Sequence, residues 1–181
     1  MKIWRNILVM AVAFALASCS RDPQWADEEL HLKNQQLQEQ FAPLVVGTWH
    51  IEVINDKQRF FERLTFLPDK TLKGMRKWQL RRLVTIGGVE QYTDWEDVTE
   101  ENGSFTGRWQ LSWEREYDGG PGANRLSITA DFDDKQRSFV AYSLYALFHF
   151  ADATTLSFSG GYYQNSNGVT NFTRGEAEPS F

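Results

Sequence analysis

An all-β antiparallel meander is the fold class this sequence predicts, and three observations predict it. Aromatic residues make up 14% of the 181 residues, with 7 Trp, 6 Tyr and 13 Phe, and aromatic side chains favour strands. From residue 44 onward apolar and polar residues alternate with a period of two, the period of a strand with one dry face. Turn-forming residues punctuate that alternation at near-regular intervals. Many short strands joined by tight turns close into a barrel or pack as a sandwich.

The chain opens "MKIWRNILVMAVAFALASCS". Lys2 and Arg5 form a positive n-region, and Ile7 to Ala17 form an apolar stretch of signal-peptide length, too short for a comfortable bilayer span. Leu16-Ala17-Ser18-Cys19 closes it. Small residues followed by Cys at this point resemble the lipobox of bacterial lipoproteins. The resemblance implies that residues 1–18 are a signal peptide that is removed, that Cys19 is acylated, and that the protein is held to a membrane of the cell envelope by that lipid. Ser20 after the Cys implies the outer membrane. Cys19 is the single cysteine of the chain, so no internal disulfide forms.

Residues 19–43 read as the lipidated Cys, a tether and a short helix. Asp22 before Pro23 suits an N-cap and first helical position. Leu30, Leu37 and Phe41 make a thin apolar stripe, and Pro43 is expected to end the helix. The helix reads as a spacer with one face resting on the folded domain, which is expected over residues 44–181.

Strands are expected at 44–54, 59–67, 71–84, 90–99, 104–117, 125–132, 138–150, 154–163 and 168–174. Pro68-Asp69, Gly87-Gly88, Asn102-Gly103, the "DGGPGAN" stretch and Asn167-Gly168 mark turns between them. In 104–117, Phe105, Gly107, Trp109, Leu111, Trp113 and Tyr117 share one face. In 125–132, Leu126, Ile128, Ala130 and Phe132 do so. The stretch 138–150 is apolar on both faces, with Val140, Tyr142, Leu144, Phe148 and Phe150 on one side. Its outer side is expected to be covered by the helix or by another protein.

"VVGTWHIEV" near the start of this meander, and "VTNFTRG" near its end, are similar to the first and last strands of lipocalins and of the lipocalin-like domains of small bacterial lipoproteins. The resemblance implies a barrel of about eight to nine strands. It implies that Gly47 allows close packing at the barrel base, that Trp49 points inward and plugs it, and that Arg174 lies over the Trp49 ring. A second Gly-x-Trp, Gly107-Arg108-Trp109, marks another strand packing the same core.

Little in the chain reads as chemistry. The three His, His31, His50 and His149, share no metal-ligand spacing. No nucleophile elbow or phosphate loop is present. No enzyme activity, metal or cofactor is expected. A formal net charge of -5 argues against nucleic acid as a partner. The carboxylates around Asp94–Glu101 and Asp131–Asp134 read as solvated loops. The basic cluster Arg76, Lys77, Arg81 and Arg82 around Trp78 reads as one outer strand face pairing with acidic neighbours such as Glu62 or Asp94. The aromatic surplus remains. Trp78, Trp109, Trp113, Tyr117, Tyr145 and Tyr162 are candidates to line a cavity for a small apolar or amphipathic ligand. If large side chains fill the interior instead, the expected role is that of an accessory subunit docking another envelope protein.

Overall fold

The computed structural model describes residues 23–115, 122–133, 141–160 and 168–181. Helix α1 (Pro23–Val45) leads into β1 (Gly47–Ile54), β2 (Gln58–Phe66) and β3 (Thr71–Leu80). A small insertion follows: β4 (Leu83–Ile86), β5 (Val89–Tyr92) and the two-residue β6 (Glu96–Asp97). The chain continues through β7 (Gly103–Glu114), β8 (Ala123–Phe132), β9 (Ala141–Ala151), β10 (Thr155–Ser159) and β11 (Val169–Arg174).

Eight of these strands close a ring. The antiparallel order β1-β2-β3-β7-β8-β9-β10-β11 returns to β1, where Trp49 pairs with Arg174. Strand β6 adds to β3 outside the ring, and β4–β5 form a separate two-stranded sheet. The meander is therefore a closed eight-strand barrel with one extra strand on its sheet. Closure removes the raw sheet edges that an open meander would present.

The sequence alternation sets which side chains enter the ring. Trp49, Leu64, Phe66, Leu72, Phe105, Trp109, Leu111, Leu126, Ile128, Leu144, Leu156, Phe158 and Phe172 are buried in one cluster. Two inward positions carry glycine because a side chain already fills the space. A Cβ on Gly74 would overlap the Phe105 ring, and one on Gly107 would overlap the backbone of Thr129 and Ala130 on β8.

Helix α1 runs through Pro43 to Val45 rather than stopping at the proline. Proline inside a last turn forgoes only its own N–H bond, and Val46 N–H still reaches the Ala42 carbonyl at 3.1 Å. The helix covers a strand edge. Pairing of β7 with β3 spans only Gly103 to Arg108, so the later part of β7 has no strand on that side. Asn34 takes the place of one: its Oδ1 accepts from Trp113 N at 2.8 Å and its Nδ2 donates to Trp113 O at 3.4 Å. Gln38 Nε2 donates to Leu111 O. Leu37 is buried, and Phe41 meets Phe148 edge-on at 5.2 Å. The helix is thus packed into the domain and is more than a spacer.

Three local expectations change. The 71–84 stretch breaks after Leu80, and its end joins residues 89–92 in the projecting β4–β5 hairpin. Asn102-Gly103 is not a two-residue hairpin turn: Asn102 brackets Trp78, accepting from its N–H at 2.6 Å and donating to its carbonyl at 3.0 Å. In β9 the register to β10 shifts, with Phe148 opposite Phe158 and Phe150 opposite Ser157. That irregularity places one extra residue on β9 and turns Phe150 outward. The helix does not cover the outer side of β9: Tyr145, Leu147 and Phe150 are exposed.

Candidate functional site

The barrel interior is the place to seek a site, and it is layered from one end to the other. The helix-covered end holds Trp49, fully buried, with its indole N–H donating to the Val45 carbonyl at 2.7 Å. The Arg174 guanidinium lies 4.3 Å from the Trp49 ring centroid. Its Nη groups donate to the carbonyls of Leu44 and Val46, where the helix end leaves acceptors unpaired. Gly47 sits at φ 136°, and a Cβ there would lie 2.7 Å from Arg174 Nη1. Helix end, first strand and last strand meet at these residues.

Across the barrel, Trp109 donates its indole N–H to the Leu67 carbonyl at 3.1 Å. Lys70 Nζ lies 4.0 Å from the Trp109 ring centroid and donates to Gln38 Oε1 at 2.6 Å. Partial burial pushes the Lys70 ammonium below its usual pKa. Lys70 also has φ 68°, the one non-glycine residue in the left-handed region among those described.

The opposite end carries a buried ion cluster. Phe60, Glu62, Leu64 and Phe66 on β2 share the inner face with Leu72, Gly74 and Arg76 on β3, where Glu62 pairs with Arg76, Leu64 with Gly74 and Phe66 with Leu72. Glu62 and Arg76 are both buried. Glu62 Oε2 accepts from Arg76 Nε at 2.8 Å and Nη2 at 2.6 Å, and Oε1 accepts from Tyr142 O–H at 3.1 Å. Arg76 Nη1 donates to Glu101. The guanidinium also lies 4.9 Å from the Tyr142 ring centroid, and Tyr142 stacks on Phe105 at 4.4 Å. The carboxylate oxygens and the guanidinium engage one another. A pair so engaged satisfies its buried charge.

The ligand-lining candidates within the described residues, Trp78, Trp109, Trp113 and Tyr145, do not converge. Trp109 is part of the packed base. Trp78 lies at the rim, half-buried, edge-on to Phe60 at 6.1 Å. Trp113 belongs to the helix-covered strand edge, with Lys33 Nζ 4.1 Å from its ring centroid. Tyr145 points outward, is 56% exposed, and donates to Glu114. Tyr117, Tyr162 and Cys19 lie outside the described residues. A groove of about 770 Å³ runs along the outside between α1 and the end of β7.

The basic cluster splits between the two sides of β3. Arg76 faces inward to Glu62, while Lys77 and Arg81 join a stack outside. Arg81 lies between Tyr92 and Trp95, 4.3 and 4.4 Å from their centroids. Arg59 lies 4.2 Å from Trp95. Lys77 donates to the Phe181 carbonyl and lies 4.9 Å from its ring centroid. Cation–aromatic contacts of this kind contribute about 0.5–1 kcal/mol each when exposed. They hold the insertion and the chain's last residues against the barrel wall.

His31 is exposed, His50 Nδ1 meets the Gly175 carbonyl at 3.0 Å, and His149 Nε2 meets Ser159 Oγ at 2.6 Å. No group of three or more His, Cys, Asp or Glu positioned to hold a metal occurs among the described residues. The sequence points to Glu62 as a partner for the basic cluster but on an outer face; Glu62 and Arg76 are instead buried together, with Tyr142 as a third member. The signal for burial was present: each of two neighbouring dry strand faces carries one charge, of opposite sign.

No protein-family model matches this chain, and neither a curated protein nor a solved structure does.

Proposed function

We propose that the chain is a lipid-anchored protein of the bacterial envelope whose lipocalin-like barrel is solid and works through its outer surface, as an accessory or interaction subunit. One observation carries this reading. From Trp49 at the base to Glu62, Arg76 and Tyr142 at the far end, the chain's own side chains occupy the interior. An apolar ligand there would have to displace packed aromatics or strip partners from a buried ion pair, and both are costly. Among the described residues, two groups of large apolar side chains stand uncovered on the outside: Tyr145, Leu147 and Phe150 on β9, and Leu83, Ile86 and Val89 on the hairpin. Acylation of Cys19 would supply the membrane attachment, several acyl chains being needed for a stable anchor. The role is non-enzymatic.

Native mass spectrometry of the gently purified protein, with Trp fluorescence before and after refolding, tests the reading. The expected result is the mass of the lipidated chain alone and an unchanged fluorescence. A co-purified small apolar molecule whose loss alters the Trp signal would return the barrel to the ligand carriers and overturn it.

A further inference from the structure

The β4–β5 hairpin projects from the end of the barrel opposite helix α1, and no strand among the described residues pairs with either of its edges. Two strands alone are marginal in water. This hairpin also leaves Leu83, Ile86 and Val89 at 47%, 61% and 65% exposure. Its base is nevertheless fixed: Thr93 N–H donates to the Arg82 carbonyl at 2.8 Å, and Arg81 is stacked between Tyr92 and Trp95. The two edges differ. The free edge of β5 carries Glu90. The β4 edge, Leu83-Val84-Thr85-Ile86, carries no charge, proline or glycine, the features that ordinarily guard an edge against pairing.

We infer that β4 pairs antiparallel with β4 of a second copy, making a four-stranded sheet across a two-fold axis at Thr85. The hydrogen-bond phase permits it. Ile86 pairs with Val89 around the two-residue Gly87-Gly88 turn, and Arg82 bonds Thr93. The main-chain groups of residues 82, 84 and 86 therefore point toward β5, and those of Leu83 and Thr85 point out to the free edge. With the axis at Thr85, each Thr85 exchanges both bonds with the partner's Thr85, and Val84 lies beside the partner's Ile86. Those are Thr–Thr and aliphatic pairs, favourable across strands. A second copy fits the edge because no charge meets a like charge, whereas the same symmetry on β5 about residue 90 would oppose two Glu90 carboxylates. Each hairpin tip then reaches the base of the other, so the two barrels stand at opposite ends of the shared sheet. The contact is small and weak in dilute solution, and tethering both copies to one membrane raises their effective concentration.

This inference rests on the reading that the barrel works through its outer surface, but it fails separately: the ligand test above leaves the hairpin untouched. The test is cross-linking of the full-length lipidated chain in native membranes with a short bis-maleimide, using Thr85→Cys and Glu90→Cys variants, with the wild-type chain as the blank. The expected result is a covalent species of twice the chain mass with Thr85→Cys and little with Glu90→Cys. Adding Ile86→Lys to Thr85→Cys should lower the yield several-fold. No dimer at residue 85, equal yields at 85 and 90, a yield unmoved by Ile86→Lys, or a product with the mass of a different protein would each overturn the second copy as the occupant.

Discussion

Trp49 and Trp109 stand in the same Gly-x-Trp tripeptide on opposite sides of one barrel. Each buries its indole, donates its N–H to a carbonyl and carries a cation on one face. The glycines differ in what they make room for. Gly47 yields space to the tip of Arg174 and holds a φ that side chains rarely adopt, whereas Gly107 lies against the backbone of β8. The cations differ in origin as well. Lys70 comes from the turn after Leu67, whose carbonyl takes the Trp109 N–H. Arg174 comes from the last strand of the barrel. The Trp109 corner takes its acceptor and its cation from one turn, Leu67 to Lys70, whereas the Trp49 corner takes its acceptor from the helix end and its cation from the last strand. The tripeptide specifies an inward Trp beside a missing Cβ, and what completes each corner lies outside it.

Removing either indole is the largest way to break the likeness. Trp49→Ala and Trp109→Ala should each cost about 3–5 kcal/mol by urea unfolding, as large aromatic truncations do. Adding a methyl to each glycine should separate the corners. Gly107→Ala meets backbone that cannot swing aside, at a cost of about 1–3 kcal/mol from overpacking. Gly47→Ala meets a movable guanidinium but adds a left-handed penalty of about 1–3 kcal/mol. Lost cation contact should be visible only in Gly47→Ala, as a change in Trp49 emission. A Gly107→Ala that unfolds like the wild type would undo the contrast. Arg174→Lys keeps the charge and loses the fork to two carbonyls. It should cost about 1–2 kcal/mol, with most of the loss from the helix-end bonds.

The smallest effect is a pH slope. Burial lowers the Lys70 pKa in the folded state, so between that value and the ordinary lysine pKa the unfolded chain holds more protons. Stability should therefore rise with pH through that window. The slope should be shallower in Lys70→Gln; identical slopes in both proteins would remove Lys70 as its source.

Much of this was legible in the sequence because alternation carries the information. The strands of the barrel fall close to their expected bounds, and Trp49, Trp109, Leu126 and Ile128 face the core as their parity requires. The failures come where parity is broken or overlooked. Arg76 and Lys77 look like one basic face by composition, but adjacent residues of a strand point to opposite sides. Phe150 lost its parity at a register shift that no local residue announces. Asn102 resembled a turn because its side chain can imitate backbone, and here it does so against Trp78. The strand-edge role of Asn34 and Gln38 depends on where β3 stops pairing with β7, a tertiary fact that the helical stripe does not encode.

The pairing of β1 with β11 has a consequence for the order in which the molecule forms. Strand neighbours elsewhere in the ring are mostly joined by short connections, but this joint links positions separated by nearly the whole barrel sequence. Contacts so distant form late, because their loop entropy is lost before anything offsets it. Until β11 arrives, β1 has one bare edge, Arg174 is not on Trp49, and the carbonyls of Leu44 and Val46 lack its capping bonds. A newly made chain is therefore vulnerable to pairing with others at its earliest strand until its latest one has been supplied.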